Sequence, residues 1–177
     1  QTGALVGSGR SRLSRGDRAL FLRLALQDAT PIRTRRLWRA LTHLGGARCT
    51  IGVSLAPLAI GGVWRDGALR ALSILVVSHL VVQLIKRTVG RPRPSLGTSC
   101  EVLIAEPDRF SFPSGHAAAA MSVAIGFATA SPALAPALTL LAVIVGFSRV
   151  ALAVHYPGDV VAGQVLAMLT ALVLGAW

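Results

Sequence analysis

An all-α bundle of membrane-spanning helices is the architecture these 177 residues predict, with about five spans behind an N-terminal amphipathic helix. Three observations carry that reading. The chain is 53% hydrophobic with a mean hydropathy of +0.64, too apolar for an ordinary water-soluble domain and long enough for one compact unit. No formal charge falls between Arg109 and Arg149, and none follows Asp159. The front of the chain is the opposite, with ten Arg and two Asp before residue 50. The expected division is therefore a basic tail over 1–49 and a transmembrane domain over 50–177.

Taken in order, residues 1–16 are rich in Gly, Ser and Arg and predict loose chain. From Asp17 to Gln27, apolar Ala19, Leu20, Leu22, Leu24 and Leu26 alternate with Arg18 and Arg23. Two Arg would sit in hydrocarbon if this segment crossed, so an interfacial amphipathic helix is expected. A second basic helix is expected over Pro31–Leu44, with Pro31 in its first turn after Thr30, before a break at Gly45-Gly46. A membrane helix needs roughly 20 mostly apolar residues. Cys49–Trp64 is an uncharged run of 16, workable as a span if Arg48 and Arg65 snorkel. Gly67–Ile85 makes a second span, on which His79, Gln83 and Lys86 share one face at i, i+4 and i+7. That face is expected to turn toward the bundle interior, with His79 an internally hydrogen-bonded core residue. Lys86–Pro113 is a long polar connection with five basic and three acidic residues. The 39 uncharged residues Phe110–Ser148 hold two helices around a turn at Ser131–Pro136, and the 18 residues Val160–Trp177 supply the last span.

Net charge of +11 raises nucleic acid as a partner, but no zinc-finger spacing or aromatic-interleaved basic stripe accompanies it, and none is expected. Cys49 and Cys100 fit neither a metal site nor a disulfide framework. The basic start, without an immediate apolar run and cleavage site, reads as having no signal peptide, and none is expected.

Chemistry concentrates in three places. Ser148-Arg149-Val150-Ala151-Leu152-Ala153-Val154-His155-Tyr156-Pro157-Gly158-Asp159 is the one stretch where Arg, His and Asp meet inside apolar sequence, where charge is costly and usually functional. Pro157 and Gly158 break the helix there, leaving His155 near one helix end and Asp159 at or near the N-cap of the next. An Asp so placed can hold an imidazole in its nucleophilic form; packing and simple capping would account for the pair equally. Phe112-Pro113-Ser114-Gly115-His116 opens an apolar helix, with Ser114 as N-cap and free N–H groups that suit an anion. Capping with a partly exposed His is the plainer alternative. Lys86, followed six residues later by Arg93-Pro94, reads alone as the basic flank of a span. Connectivity brings all three to one membrane surface, because the third span leaves it at His116 and the fourth returns at His155. Lys86, Arg93 and Arg149 then converge on a helix N-terminus with two His and one Asp. That is a phosphate pocket in which cations would neutralise transferring oxygens.

Lys86-x6-Arg93-Pro94, Pro113-Ser114-Gly115-His116 and Ser148-Arg149-x5-His155-x3-Asp159 together resemble, in order and without substitution, the three signature motifs of the type 2 phosphatidic acid phosphatase superfamily. The likeness spans residues 86–159. It implies an integral-membrane lipid phosphatase with His155 as the nucleophile that forms a phosphohistidine and Asp159 orienting it. His116 would protonate the leaving alkoxide and then activate water, while Lys86, Arg93, Ser114, the Gly115 N–H and Arg149 bind phosphate oxygens. No metal and no cofactor are implied. The expected substrate is a phosphomonoester or diphosphate of a lipid in a bacterial cell membrane, with polyprenyl-linked phosphates such as that of decaprenylphosphoryl-5-phosphoribose foremost. Phosphatidylglycerophosphate, phosphatidic acid and prenyl diphosphates are the alternatives; more remote are vanadate haloperoxidase chemistry and non-catalytic anion binding. Many membrane members have six spans, three before the first motif, whereas two plus an amphipathic segment are found here. With five spans the Arg-rich tail shares a side with the motifs, and thirteen non-motif basic residues there against two opposite predict a cytoplasm-facing site.

Overall fold

The computed structural model describes residues 15–27, 29–94, 104 and 108–175. Seven α-helices lie among them: α1 (15–24), α2 (Ile32–His43), α3 (Ala47–Leu55), α4 (Gly62–Val89), α5 (Gly115–Ala130), α6 (Ala135–Ala151) and α7 (Pro157–Val173). The expected segment Pro31–Leu44 is α2, and the Ser131–Pro136 turn is a short 3-10 helix, Pro132–Leu134, leading into α6.

The expected span Cys49–Trp64 has a different form. Helix α3 passes into a 3-10 turn at Ala56–Ala59, where Pro57 sits in the first turn, and the chain reverses at Gly61 with φ 83. A left-handed φ is open to glycine at little cost, so the break falls there and not at the charged Arg65-Asp66 pair. Helix α4 therefore starts at Gly62, ahead of the expected Gly67, and its 28 residues extend about 42 Å. Residues 62–89 and 132–151 are long and apolar enough to cross a membrane, while Ala47–Ala59, Gly115–Ala130 and Pro157–Val173 are shorter apolar helices.

Helix α5 is the hub. It packs on α4, α6 and α7, and is buried around its circumference from Ala117 to Met121 and again at Ala124, Ile125 and Phe127. A helix apolar on every side belongs in the middle of a bundle, and its alanines let neighbours approach closely. Ile74, Met121, Ile125, Val145 and Ala167 form one core between the four helices. Polar links beside that core are Ser78 Oγ to Ser122 Oγ at 3.1 Å and Gln164 Nε2 donating to the Ala142 carbonyl at 3.1 Å. Outer faces of α4 and α7 expose Val76, Leu80, Leu84, Leu169 and Leu172, as lipid-facing surfaces do.

The sequence left the inward face of α1 unassigned, and one expectation about a face of α4 is corrected. On α1, Leu20 and Leu22 are exposed, while Asp17, Phe21, Leu24 and Ala25 turn inward. Those four follow the 3.6-residue period, which the near-alternating leucines had masked. On α4, the buried stripe runs through Ala71, Ile74, Ser78, Val82 and Lys86. His79 lies one position off that stripe and is exposed, its ring hydrogen-bonded to Gln83 at 3.2 Å. Sharing a face with Lys86 at i+7 does not bring it into the core.

Candidate active site

Each of the three motif segments is held by local chemistry. After α4 ends, Pro92 and Phe110 form an isolated antiparallel bridge, and Ser111 N–H donates to the Arg91 carbonyl at 2.9 Å. This ties the first motif to the approach to the second. Lys86 and Arg93 are both buried, at 4% and 1% exposure, and Asp108 joins them. Its carboxylate accepts from Lys86 Nζ at 2.7 Å and from Arg93 Nη2 at 2.9 Å, and its carbonyl accepts from Arg93 Nε at 2.8 Å. Burial pushes the Asp108 carboxyl up, but hydrogen bonds and charge from Lys86 and Arg93 outweigh that and hold it below the usual carboxylate range.

Ser114 caps α5, its Oγ accepting from Ala117 N–H at 3.5 Å. Its own N–H donates to the Asp159 carbonyl at 2.9 Å, which binds the second motif to the third. Gly163 on α7 makes that possible: a Cβ there would collide with the Ser114 carbonyl oxygen. His116, on the first turn of α5, is half-buried and lines the same cavity as His155 and Lys86.

Arg149 lies in the last turn of α6 at 1% exposure, its Nη1 donating to Thr42 Oγ1 on α2 at 2.8 Å. The Arg149 carbonyl accepts from Val154 and His155 N–H, closing a turn in which Ala153 takes φ 60. A buried alanine in the left-handed region is a strained position, held by the contacts around it. Pro157 starts α7 because its missing donor is not needed there. Asp159 is consequently the third residue of the helix and not its cap: the N-cap is Tyr156, whose N–H donates to Asp159 Oδ2 at 2.9 Å.

His155 is 1% exposed. Arg93 Nη1 stands 3.3 Å from its Nε2; a guanidinium can only donate, so Nε2 carries the lone pair and the ring proton sits on Nδ1. Nδ1 faces Asp159 Oδ2 at 3.6 Å, slightly beyond hydrogen-bond length. Burial first, then the charges of Arg149, Arg93 and Lys86, push the His155 imidazole well below its ordinary range. A neutral ring with its lone pair toward the cations is the form a nucleophile needs.

Four residues at this site were not read as functional from sequence. Asp108 was one of several charges in a polar loop. Thr42 gave no signal. Arg91 was grouped with the basic flank, yet its Nη1 donates to Asp159 Oδ1 at 2.6 Å, and its guanidinium stacks 4.3 Å from the Tyr156 ring centre. Its Nη2 reaches Asp17 on α1 at 2.7 Å, and Asp17 also accepts from Gly158 N–H at 2.8 Å. A cavity of about 580 Å³ adjoins the site. Lys86, Asp108, His116 and His155 line it together with apolar Leu72, Leu75 and Val76.

Buried cations and two imidazoles beside one helix N-terminus in an apolar helix bundle make a site suited to a phosphate group. Residues 67–177 match the PAP2 superfamily, and the chain belongs to that family. It is 36% identical over 130 residues to a decaprenylphosphoryl-5-phosphoribose phosphatase of Mycolicibacterium smegmatis, covering 71% of this chain and 68% of that one. Its fold is shared with LpxE of Aquifex aeolicus, at a TM-score of 0.77 with 19% identity over 90% of this chain and 94% of the other. A PAP2-type phosphatidylglycerolphosphate phosphatase from Bacillus subtilis gives 0.75 and 23% over 93% and 85%. The protein is a phosphoric monoester hydrolase of the lipid phosphatase kind.

Proposed function

We propose that the protein removes a terminal phosphate from a polyprenyl-linked lipid, a decaprenylphosphoryl-5-phosphoribose-like phosphate before phosphatidylglycerophosphate, phosphatidic acid or a prenyl diphosphate. Lys86, Arg93 and Arg149 receive the phosphate oxygens together with Ser114 and the Gly115 N–H at the α5 N-terminus, where the helix dipole adds to their charge. His155 Nε2 attacks phosphorus in line as the P–O bond to the lipid alkoxide breaks, giving a phosphohistidine. Its Nδ1–H is drawn to Asp159 as positive charge grows on the ring. His116 supplies the proton to the leaving alkoxide, then takes one from the water that cleaves the P–N bond and releases phosphate. Asp108 holds Lys86 and Arg93 in register while the site is empty. The observation that carries this reading is the shared cavity, which His155, His116 and Lys86 line together with apolar residues of α4. The named activity of the 36% identical relative favours a polyprenyl substrate. Phosphate release by purified protein in detergent, over a panel of lipid phosphates, tests it; activity confined to water-soluble esters would refute the lipid assignment.

The same reading has five crossings, α3 to α7, with α1 and α2 beside the site. The Arg-rich segment then puts the site on the cytoplasmic face. Cys100 lies outside the described residues, in the connection between the first two motifs. Labelling of Cys100 from outside intact cells by an impermeant thiol reagent, lost in Cys100→Ser, would refute that side.

A further inference from the structure

One polar pair in the cavity belongs to none of the phosphate-handling groups. His79 and Gln83 line it on α4, seven and three residues before Lys86, hence about 10 Å and 5 Å along the helix axis from that cation. The wall around them is apolar, with Leu72, Val76 and Leu80 beside them. Polar side chains inside a long apolar helix are costly there and are retained where they are used. Fold does not use these two: neither lies on the buried stripe of α4, and their described hydrogen bond is to each other, at 3.2 Å. His79 stands about two turns from Lys86, away from phosphate oxygens held there, and Gln83, one turn away, is directed to His79 by their hydrogen bond. They can reach whatever the phosphate is esterified to.

We propose that His79 and Gln83 form a leaving-group subsite that hydrogen-bonds the hydroxyls of a sugar or polyol carrying the scissile phosphate. This rests on the lipid-phosphatase reading above and specifies its substrate class. The chemistry decides between candidate groups. With the Gln83 amide nitrogen donating to His79 Nε2, the pair still offers the Gln83 carbonyl oxygen as acceptor, and a second amide hydrogen and the His79 Nδ1–H as donors. Mixed donors and acceptors match neighbouring hydroxyls, each of which donates and accepts. A second phosphate would call for guanidinium or ammonium groups, as around Lys86, and a prenyl chain attached directly to phosphate would leave both residues desolvated without partners. The lipid chain itself then lies along the apolar lining. A cavity of about 580 Å³ is within the usual range for such a ligand.

The test compares two substrates on the full chain in detergent: a prenyl-phosphoryl pentose phosphate, whose phosphate leaves from a hydroxylated sugar, and a prenyl monophosphate without hydroxyls. Wild-type protein is expected to favour the sugar phosphate in kcat/KM. In His79→Leu and Gln83→Leu that preference should fall roughly tenfold each, the usual worth of one hydrogen bond to a buried partner. The fall should come mainly through KM, as for an interaction made equally in ground and transition states. His79→Asn and Gln83→Ser, which shorten the reach without adding apolar bulk, read the same ratio should leucine disturb the helix. A ratio that stays within about twofold of wild type in the variants overturns the subsite while leaving the phosphatase reading intact. Wild-type protein that hydrolyses neither lipid overturns both.

Discussion

Asp17 is the residue whose removal most directly tests how the proposed catalytic pair, His155 and Asp159, is held. It lies on α1, outside the family-matched residues 67–177, yet its two carboxylate oxygens bind Arg91 Nη2 at 2.7 Å and Gly158 N–H at 2.8 Å. Arg91 in turn holds Asp159 Oδ1 at 2.6 Å, and Gly158 immediately precedes Asp159. Asp17→Ala removes both restraints on the loop that carries His155 and Asp159. Hydrogen bonds with a charged partner contribute about 1.5–3 kcal/mol each. The Asp17 and Arg91 side chains are 15% and 22% exposed, so the lower end of that range applies to their pair. If about 1–2 kcal/mol of this is felt as misorientation of His155, kcat falls roughly 5- to 30-fold. KM should change less, because Lys86, Arg93 and Arg149 are untouched. Asp17→Asn keeps an acceptor for Gly158 but turns an amide toward Arg91, so its defect should be smaller. Steady-state phosphate release, at a temperature where thermal melts show both variants folded, measures this. Wild-type kcat in Asp17→Ala would refute the reasoning, as would Asn and Ala variants that lose activity equally.

His116→Ala is expected to cost about 10²–10⁴-fold on an alkyl phosphate and less on an activated ester whose leaving group needs no proton; equal losses on both would give His116 another role. The acid limb of kcat/KM should lie below the ordinary imidazole range, because burial and three cations hold His155 deprotonated, and Arg149→Gln should move that limb to higher pH. A limb near the free-imidazole value in wild-type protein would contradict this. Asp108 is lowered in the folded state from its usual 3.8, so its contribution to stability is fully present above that value and is lost as pH falls through the lower folded value. Thermal melts of wild type and Asp108→Asn should therefore differ by a constant amount from neutral pH down to about pH 4 and converge only below it; convergence already near pH 6 would contradict the ion-pair description.

The parts of this protein that sequence made legible are those whose signal is local. Ser114 could be read as a cap because the cap bond closes within three residues. His155 and Asp159 drew notice because charge is rare in their surroundings. Helices α5, α6 and α7 follow from the uncharged runs. What was missed depends on distant partners. Asp17 meets Arg91 across 74 residues and Thr42 meets Arg149 across 107, and no periodicity encodes either contact. The inward face of α1 was obscured by Leu20 and Leu22, whose hydrophobicity belongs to the outside of a membrane protein, where apolar residues are not evidence of burial. His79 was drawn to the core for the converse reason: a polar residue in an apolar helix looks internal until a cavity is seen beside it. Gly61, not the Arg65-Asp66 charges, ended the first apolar run, since a left-handed turn stops a helix where snorkelling charges do not.

Everything above turns on His155 as the atom that takes the phosphoryl group. Protein incubated briefly with a lipid substrate carrying labelled phosphate, quenched and digested, reports it directly. The expected adduct is acid-labile and alkali-stable, as a phosphoramidate is, maps to the peptide containing His155, accumulates in His116→Ala, and is absent from His155→Ala. An acid-stable adduct mapping to Ser114, retained when His155 is replaced, would contradict the account.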